Sequence, residues 1–190
     1  MDYINHPQIL YNHRNNLIYY LYYSQYNLNH HIEIHQKINS IDSQETFEAV
    51  RLELEDRFGK LDENLIIYMY EEWFEKLAKA YEIEKVNNTK NSIELVFSEE
   101  ITKKIDGEKL FEDSFKITPM FRFKMLHERL IVVLDIIKLE KHYIYYLVEL
   151  LDKIKFKNDW VCIFCGNFNY SFRTVCNRCQ QDKMYSEYIS

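Results

Sequence analysis

Glycine and proline are scarce in this chain: of 190 residues, three are glycine and two are proline. Glycine-rich phosphate loops are correspondingly missing. No Gly-x-x-x-x-Gly-Lys-Ser/Thr stretch and no dinucleotide fingerprint occurs, which excludes a P-loop ATPase and a Rossmann nucleotide site. Gly-x-Ser-x-Gly and His-Glu-x-x-His are missing too, which removes the serine-hydrolase elbow and the zinc-peptidase helix. Long apolar runs are also lacking. The strongest N-terminal one, Leu17 to Tyr23, is far too short to span a bilayer and is full of tyrosine. No charged leader with a small-residue cleavage site precedes it. The expectation is a cytoplasmic protein without a membrane partner. Cysteine is absent except between Trp160 and Cys179, where all four fall.

What is present begins with those four. Cys162, Cys165, Cys176 and Cys179 form two Cys-x-x-Cys pairs ten residues apart. Each pair can place two sulfurs on one ion from a tight knuckle. Two knuckles close a thiolate tetrahedron, which suits Zn2+ with bonds of about 2.3 Å. Four thiolates leave no open position, so the ion is structural and not catalytic. A segment this short cannot bury enough apolar surface to fold alone, and the metal supplies most of its folding energy. Two disulfides are a poorer reading in a reducing compartment. A thioredoxin-like pair needs one Cys-x-x-Cys beside a βαβ pattern. An iron–sulfur cluster shares the four-thiolate set, and spacing leaves it open.

Charge is uneven. The whole chain carries −6, which does not suit a protein that coats nucleic acid non-specifically. Asp42 to Glu75 holds eleven acids and three bases, whereas Lys155 to Lys183 holds five bases and two acids. An acidic body thus precedes a basic tail. In the tail, Phe168, Tyr170 and Phe172 interleave with Arg173 and Arg178. Rings and guanidinium groups so mixed suit base stacking with phosphate attraction.

The tail resembles the Ran-binding-protein type of zinc finger. That pattern, Asp-Trp-x-Cys-x2-Cys-x3-Asn-x6-Cys-x2-Cys, is met by Asp159, Trp160, Cys162, Cys165, Asn169, Cys176 and Cys179. One branch of that family binds ubiquitin through Thr-Phe after the second cysteine. Gly166-Asn167 stand there instead, which speaks against ubiquitin. The other branch binds single-stranded RNA. The resemblance implies Tyr170 as the stacking aromatic, Arg173 as a guanine-reading arginine, and Asp159, Asn167 and Asn177 as polar contacts, with Phe168 among the nucleic-acid-binding rings. Phe172 stands where RNA binders usually carry a second arginine, so one bidentate guanine contact is missing.

Period and punctuation divide the rest. Residues 1–30 form an N-terminal segment in which Leu17, Tyr20 and Leu21 can share a helix face. A helix is expected from Ile32 to Ile38. His30, His31 and His35 lie in this region, two of them at i, i+4, but no Glu-x-x-His partner follows and they read as surface histidines. Asp42 or Ser43 caps the next helix, with Glu45 at capping-box spacing from Asp42. Phe47, Val50, Leu54 and Phe58 form its apolar face, and Gly59 stops it. A third helix runs from Glu63 to Tyr81 with Ile66, Met69, Trp73, Leu77 and Ala80 on one stripe.

Strands then follow at Ile83–Val86 and Ser92–Phe97, turning at Asn87–Asn91. A helix from Glu99 to about Phe115 is interrupted or weakened at Gly107. Phe121, Phe123 and Met125 alternate, His127-Glu128-Arg129 turns, and Leu130 to Ile136 reads as a strand covered on both faces. A last helix, Lys141 to Ile154, turns Ile144, Leu147, Leu151 and Ile154 inward, and Lys155 to Asn158 links it to the finger. The fold class is α+β: N-terminal helices, then a β-β-α-β-β-α unit, together an α+β domain over residues 31–156, then a four-cysteine zinc finger over 158–183.

Lys37-Ile38-Asn39-Ser40-Ile41-Asp42-Ser43 and Leu52-Glu53-Leu54-Glu55-Asp56-Arg57-Phe58-Gly59-Lys60-Leu61 resemble the C-terminal domain of the bacterial transcription-repair coupling factor, Mfd. Ala80 and Ile83 match the end of that family's long helix, while Asp62 replaces its usual proline. In Mfd the domain follows the motor, holds the protein inactive and masks the surface that recruits the excision-repair protein UvrA, with no catalysis of its own. The resemblance implies a non-catalytic adaptor that binds a repair or transcription protein through its body while the finger touches single-stranded RNA or DNA. The alternative is a single-stranded RNA-binding regulator in which the body is scaffold. An enzyme is not expected: all four cysteines are committed to metal, and Asp56-Arg57 reads as a helix-end pair.

Overall fold

The computed structural model describes residues 28–157, 159–170, 173–183 and 187–188. Leu17, Tyr20 and Leu21, the expected helix face near the N-terminus, lie outside them, as does Phe172. Helix α1 covers Leu28–Ile38, four residues earlier than its sequence signal. Its buried Ile34 and Ile38 face the core. His35 is half-buried, and its Nδ1 meets the Tyr68 hydroxyl at 2.9 Å.

Helix α2, Gln44–Phe58, starts at Ser43. The capping box closes with Thr46, not with the expected Glu45. The Thr46 amide donates to Ser43 Oγ at 3.3 Å, and the Ser43 amide donates to Thr46 Oγ1 at 3.0 Å. The Ser43 cap places Thr46 in the third helical position, the one from which a side chain reaches back to the cap amide. Gly59 ends the helix at φ +80°, a region that side chains avoid. Phe47, Val50 and Leu54 are buried as their spacing requires. Arg57, read as a helix-end charge, in fact reaches α1. Its Nη1 lies 2.6 Å from Glu33 Oε1 and its Nη2 3.2 Å from Oε2.

Helix α3, Glu63–Ala80, is capped by Asp62, whose carboxylate accepts from the Asn64 amide. Its burial is wider than the expected stripe. Ile67, Tyr68, Met69, Glu71, Glu72, Trp73 and Phe74 are all buried, while Ala80 is exposed. A helix enclosed on several sides buries more than one stripe. Phe47 from α2 stacks against Trp73 at 5.9 Å, and Tyr70 meets Tyr145 edge-on at 4.7 Å.

Four strands form one antiparallel sheet: β1 (Ile83–Asn88), β2 (Ser92–Phe97), β3 (Phe121–Leu126) and β4 (Arg129–Asp135), in the order β1-β2-β4-β3. Ile93, Leu95 and Phe97 of β2 and Leu130, Val132 and Leu134 of β4 alternate into the core. Each fully buried side chain of this kind contributes about 1.5–3 kcal/mol over leaving it exposed. Between β2 and β3 the helix expected to be interrupted or weakened at Gly107 is broken in two just before that residue. Helix α4 covers Glu99–Lys104 and α5 covers Gly107–Ile117, with Asp106 capping α5 through the Lys109 amide. Helix α6, Tyr143–Asp152, buries Ile144, Leu147, Val148, Leu150 and Leu151 and packs on α3 and α5. Among the described residues no helix is long and apolar enough to cross a membrane.

Candidate metal centre and nucleic-acid face

The finger holds three two-residue strands, β5 (Trp160–Val161), β6 (Phe168–Asn169) and β7 (Glu187–Tyr188), in the order β6-β5-β7. The unit thus runs past residue 183. Its first knuckle closes where the Gly166 amide donates to Cys162 O at 2.8 Å. The second closes likewise, the Gln180 amide donating to Cys176 O at 3.0 Å. In both, the residue after the second cysteine is left-handed: Gly166 at φ +67° and Gln180 at φ +61°. Glycine removes the strain at the first position.

The two knuckles bring the four sulfurs together within 4.8 Å of one another. Cys162 and Cys179 Sγ are 3.5 Å apart, and Cys165 and Cys176 Sγ are 3.6 Å apart. A disulfide needs about 2.05 Å, which excludes bonded pairs. A tetrahedron with metal–sulfur bonds of about 2.3 Å has edges of about 3.8 Å, close to the separations seen.

The electrostatics fit a cation as well. Burial pushes the Cys176 thiol up, but the backbone N–H groups of Cys179 and Arg178 and the Asn169 side chain outweigh it and hold the group at about 6. The Arg178 amide reaches Cys176 Sγ at 3.4 Å. The Gln181 amide favours a thiolate at Cys179, yet burial and the three neighbouring sulfurs push that thiol up to about 12. Four sulfurs this close cannot all ionise unless a cation shares their charge. The four cysteines together could therefore hold a metal ion.

Asn169 ties the knuckles to each other. It is 1% exposed. Its Oδ1 accepts from the Asn177 amide at 3.0 Å, and its Nδ2 donates to Asn167 O at 2.9 Å. Trp160, fully buried, donates from Nε1 to the Arg173 carbonyl at 3.2 Å. These two residues explain why the spaced Trp and Asn accompany the cysteines.

The residues singled out for nucleic acid divide into two sets. Asn167 meets Asn177, and Phe168 meets Tyr170. Asn167 Nδ2 donates to Asn177 Oδ1 at 2.5 Å. Phe168 and Tyr170 meet edge-on at 5.4 Å, and Lys155 Nζ sits 4.7 Å over the Phe168 ring. Tyr170 is 45% exposed. Arg173 follows Tyr170 in a turn, its amide donating to Tyr170 O at 3.0 Å. Asp159 goes elsewhere. It is buried, and its Oδ2 accepts from the Phe156 amide at 2.9 Å, so its carboxylate is turned into the joint with the body.

That joint is where the split between α4 and α5 matters. Of Lys155 to Asn158, expected as a linker, the described residues Lys155, Phe156 and Lys157 are tied to the break between the two helices. Phe156 forms an antiparallel bridge with Ile105. The Asp106 amide donates to Lys155 O at 2.9 Å, and the Lys157 amide to Lys104 O at 2.8 Å. The break in the helix frees the backbone groups that hold the chain entering the finger. Tyr81, at the end of α3, lies 5.9 Å from Phe156. Burial pushes the Tyr81 phenol strongly upward, and Tyr170 of the finger adds to the shift. A separate hollow of about 730 Å³ lies between α2, α3 and α6, floored by Phe47, Tyr70, Trp73 and Tyr145. No sequence signal marks it, because α6 joins the walls from about sixty residues beyond α3.

Known proteins share the body's fold. The sequence model of the TRCF domain matches residues 22–108. No curated protein matches. Among solved structures, the crystal structure of the C-terminal domain of a transcription-repair coupling factor is similar, with TM-score 0.55 and 20% identity over 67% of this chain and 78% of that one. Residues 22–108 thus match the TRCF-domain model, and the body shares the fold of a transcription-repair coupling factor's C-terminal domain, ahead of a four-cysteine cluster that could hold a metal ion.

Proposed function

We propose that this protein is a non-catalytic adaptor. Its TRCF-like body docks on a repair or transcription protein, and its finger, ordered by Zn2+, contacts single-stranded nucleic acid. The observation that supports the first half is the TRCF-domain match within a body of the same fold. The finger half rests on the exposed Tyr170 beside Phe168, Lys155, Asn167 and Asn177. A ring face flanked by cations and amides offers stacking with phosphate attraction. The spacing of Asp159, Trp160, Asn169 and the cysteines resembles the Ran-binding-protein type of finger and supports this half, and Gly166-Asn167 argue against ubiquitin.

Two measurements test the reading. The full chain titrated with purified UvrA and with RNA polymerase is expected to form a stable complex with one of them; binding to neither overturns the adaptor role. Guanine-containing single-stranded RNA and DNA are expected to bind the zinc-loaded chain. Tyr170→Ala removes about 1–3 kcal/mol of stacking, a loss of about fivefold or more in affinity. Arg173→Ala also weakens binding and flattens its salt dependence. Unchanged affinity in both variants sinks the nucleic-acid half.

A further inference from the structure

The two edges of the four-stranded sheet are not alike. Strand β1 is broken by a register irregularity between Ile83 and Lys85, a feature that blunts an edge. Strand β3 pairs with β4 in unbroken register from Phe121↔Leu134 to Leu126↔Arg129, and its other side has no strand among the described residues. An apolar surface adjoins that open side. Phe111 and Phe115 on α5 are 57% and 65% exposed, and Met125 on β3 is 63% exposed. The rings of Phe111 and Phe123 lie 6.0 Å apart, so the helix face and the strand form one surface.

We infer that β3 is a docking edge for an extended segment of another protein that alternates apolar and acidic side chains. Charge selects this occupant over a second copy of the chain. Suppose two β3 strands pair antiparallel with their core faces continuous. In each of the central registers Arg122 then meets Arg122, Arg122 meets Lys124, or Lys124 meets Lys124. Like charges directly opposite each other destabilise a sheet, and edge cations are a known guard against self-pairing. Arg122 is exposed and has no ion-pair partner among the described residues. Lys124 is 58% exposed and pairs at 3.2 Å with Glu94. An incoming strand with carboxylates opposite these two gains charge-paired contacts. Its alternate apolar residues fall on the side of Phe123, Met125 and Phe111. The inference gives the adaptor reading a surface on the body, but it rests on this edge alone.

The test uses the full chain and a fluorescent nonapeptide alternating valine and glutamate. Two controls alternate valine with lysine or carry a central proline in the acidic peptide. The acidic peptide is expected to bind, with amide shifts centred on Phe121–Leu126. The proline peptide should bind at least about tenfold more weakly, since proline removes a ladder hydrogen bond. Arg122→Glu with Lys124→Glu should cut affinity for the acidic peptide by about tenfold or more and admit the lysine peptide, since like charges across a ladder repel. If the double variant does not fold, Arg122→Glu alone breaks no ion pair and gives the same reading. Failure of the acidic peptide to bind, or equal binding by the proline control, overturns the edge. So does a concentration-dependent dimer whose contacts map to β3. A protein partner whose binding ignores Arg122→Glu removes this edge and leaves the adaptor reading standing.

Discussion

Glu71 is the residue whose chemistry departs furthest from its place in the sequence. It sits mid-helix between Tyr70 and Glu72. In the fold it is 4% exposed, and its Oε1 has no hydrogen-bond partner among the described residues. Burial, with Glu72 and Glu75 adding, raises it from the usual carboxylate range to about 7. Its folded value is raised, so the native state binds the proton more tightly than the unfolded chain. The resulting stability is fully present below about 4.5 and is lost as pH rises through 7. The loss is on the order of 3 kcal/mol at most. Denaturant melts from about pH 4.5 to 8 are expected to show that decline, and Glu71→Gln should flatten it. An identical slope in the variant would assign the decline to other groups. Tyr143, which faces this carboxylate, is pushed up to about 12 by burial and by Glu71.

At the scale of elements, the β3–β4 hairpin carries a local conflict. His127 and Glu128 form its two-residue turn and both lie at positive φ, +48° and +60°. Such a turn suits Asn-Gly, because other side chains crowd the backbone there. The strands on either side impose the turn on residues that do not favour it. His127→Asn with Glu128→Gly is expected to raise stability by about 1 kcal/mol. Thermal unfolding of the double variant reads this out, and a lower Tm would contradict it. The α2 cap shows the opposite case, in which local chemistry and fold agree through Ser43 and Thr46. Sequence spacing located the turn and the helix start. It did not select Thr46 over Glu45, because that choice depends on which residue is the cap.

For the whole molecule, the body and the finger are built by different forces. The body has one continuous apolar core running from Ile34 to Ile154. The finger buries Trp160, Cys162 and Cys176 with little else. Chelation of the metal is therefore expected to unfold the finger and leave the body's helices in place. Far-UV circular dichroism should change little, while amide exchange over residues 159–183 becomes fast. Cooperative loss of all helical signal on chelation would show instead that the joint at Ile105 and Phe156 couples the two. Cys162→Ser should likewise abolish one-to-one metal binding, read by elemental analysis.

The amino-acid sequence by itself determined the order of the body's helices and strands, that the cysteines can converge, and that an acidic portion precedes a basic one. Each follows from a local period, a fixed spacing or a count. Ile93, Leu95 and Phe97 alternate whatever they face, and two Cys-x-x-Cys pairs can close on one ion wherever they hang. Only the tertiary structure decided that Glu71 is buried, that Asp159 serves the joint, that Arg57 holds α1, and that β3 is an open edge beside Phe111. Those properties depend on which distant segments become neighbours, and burial, charge pairing and edge position exist only once the elements have packed.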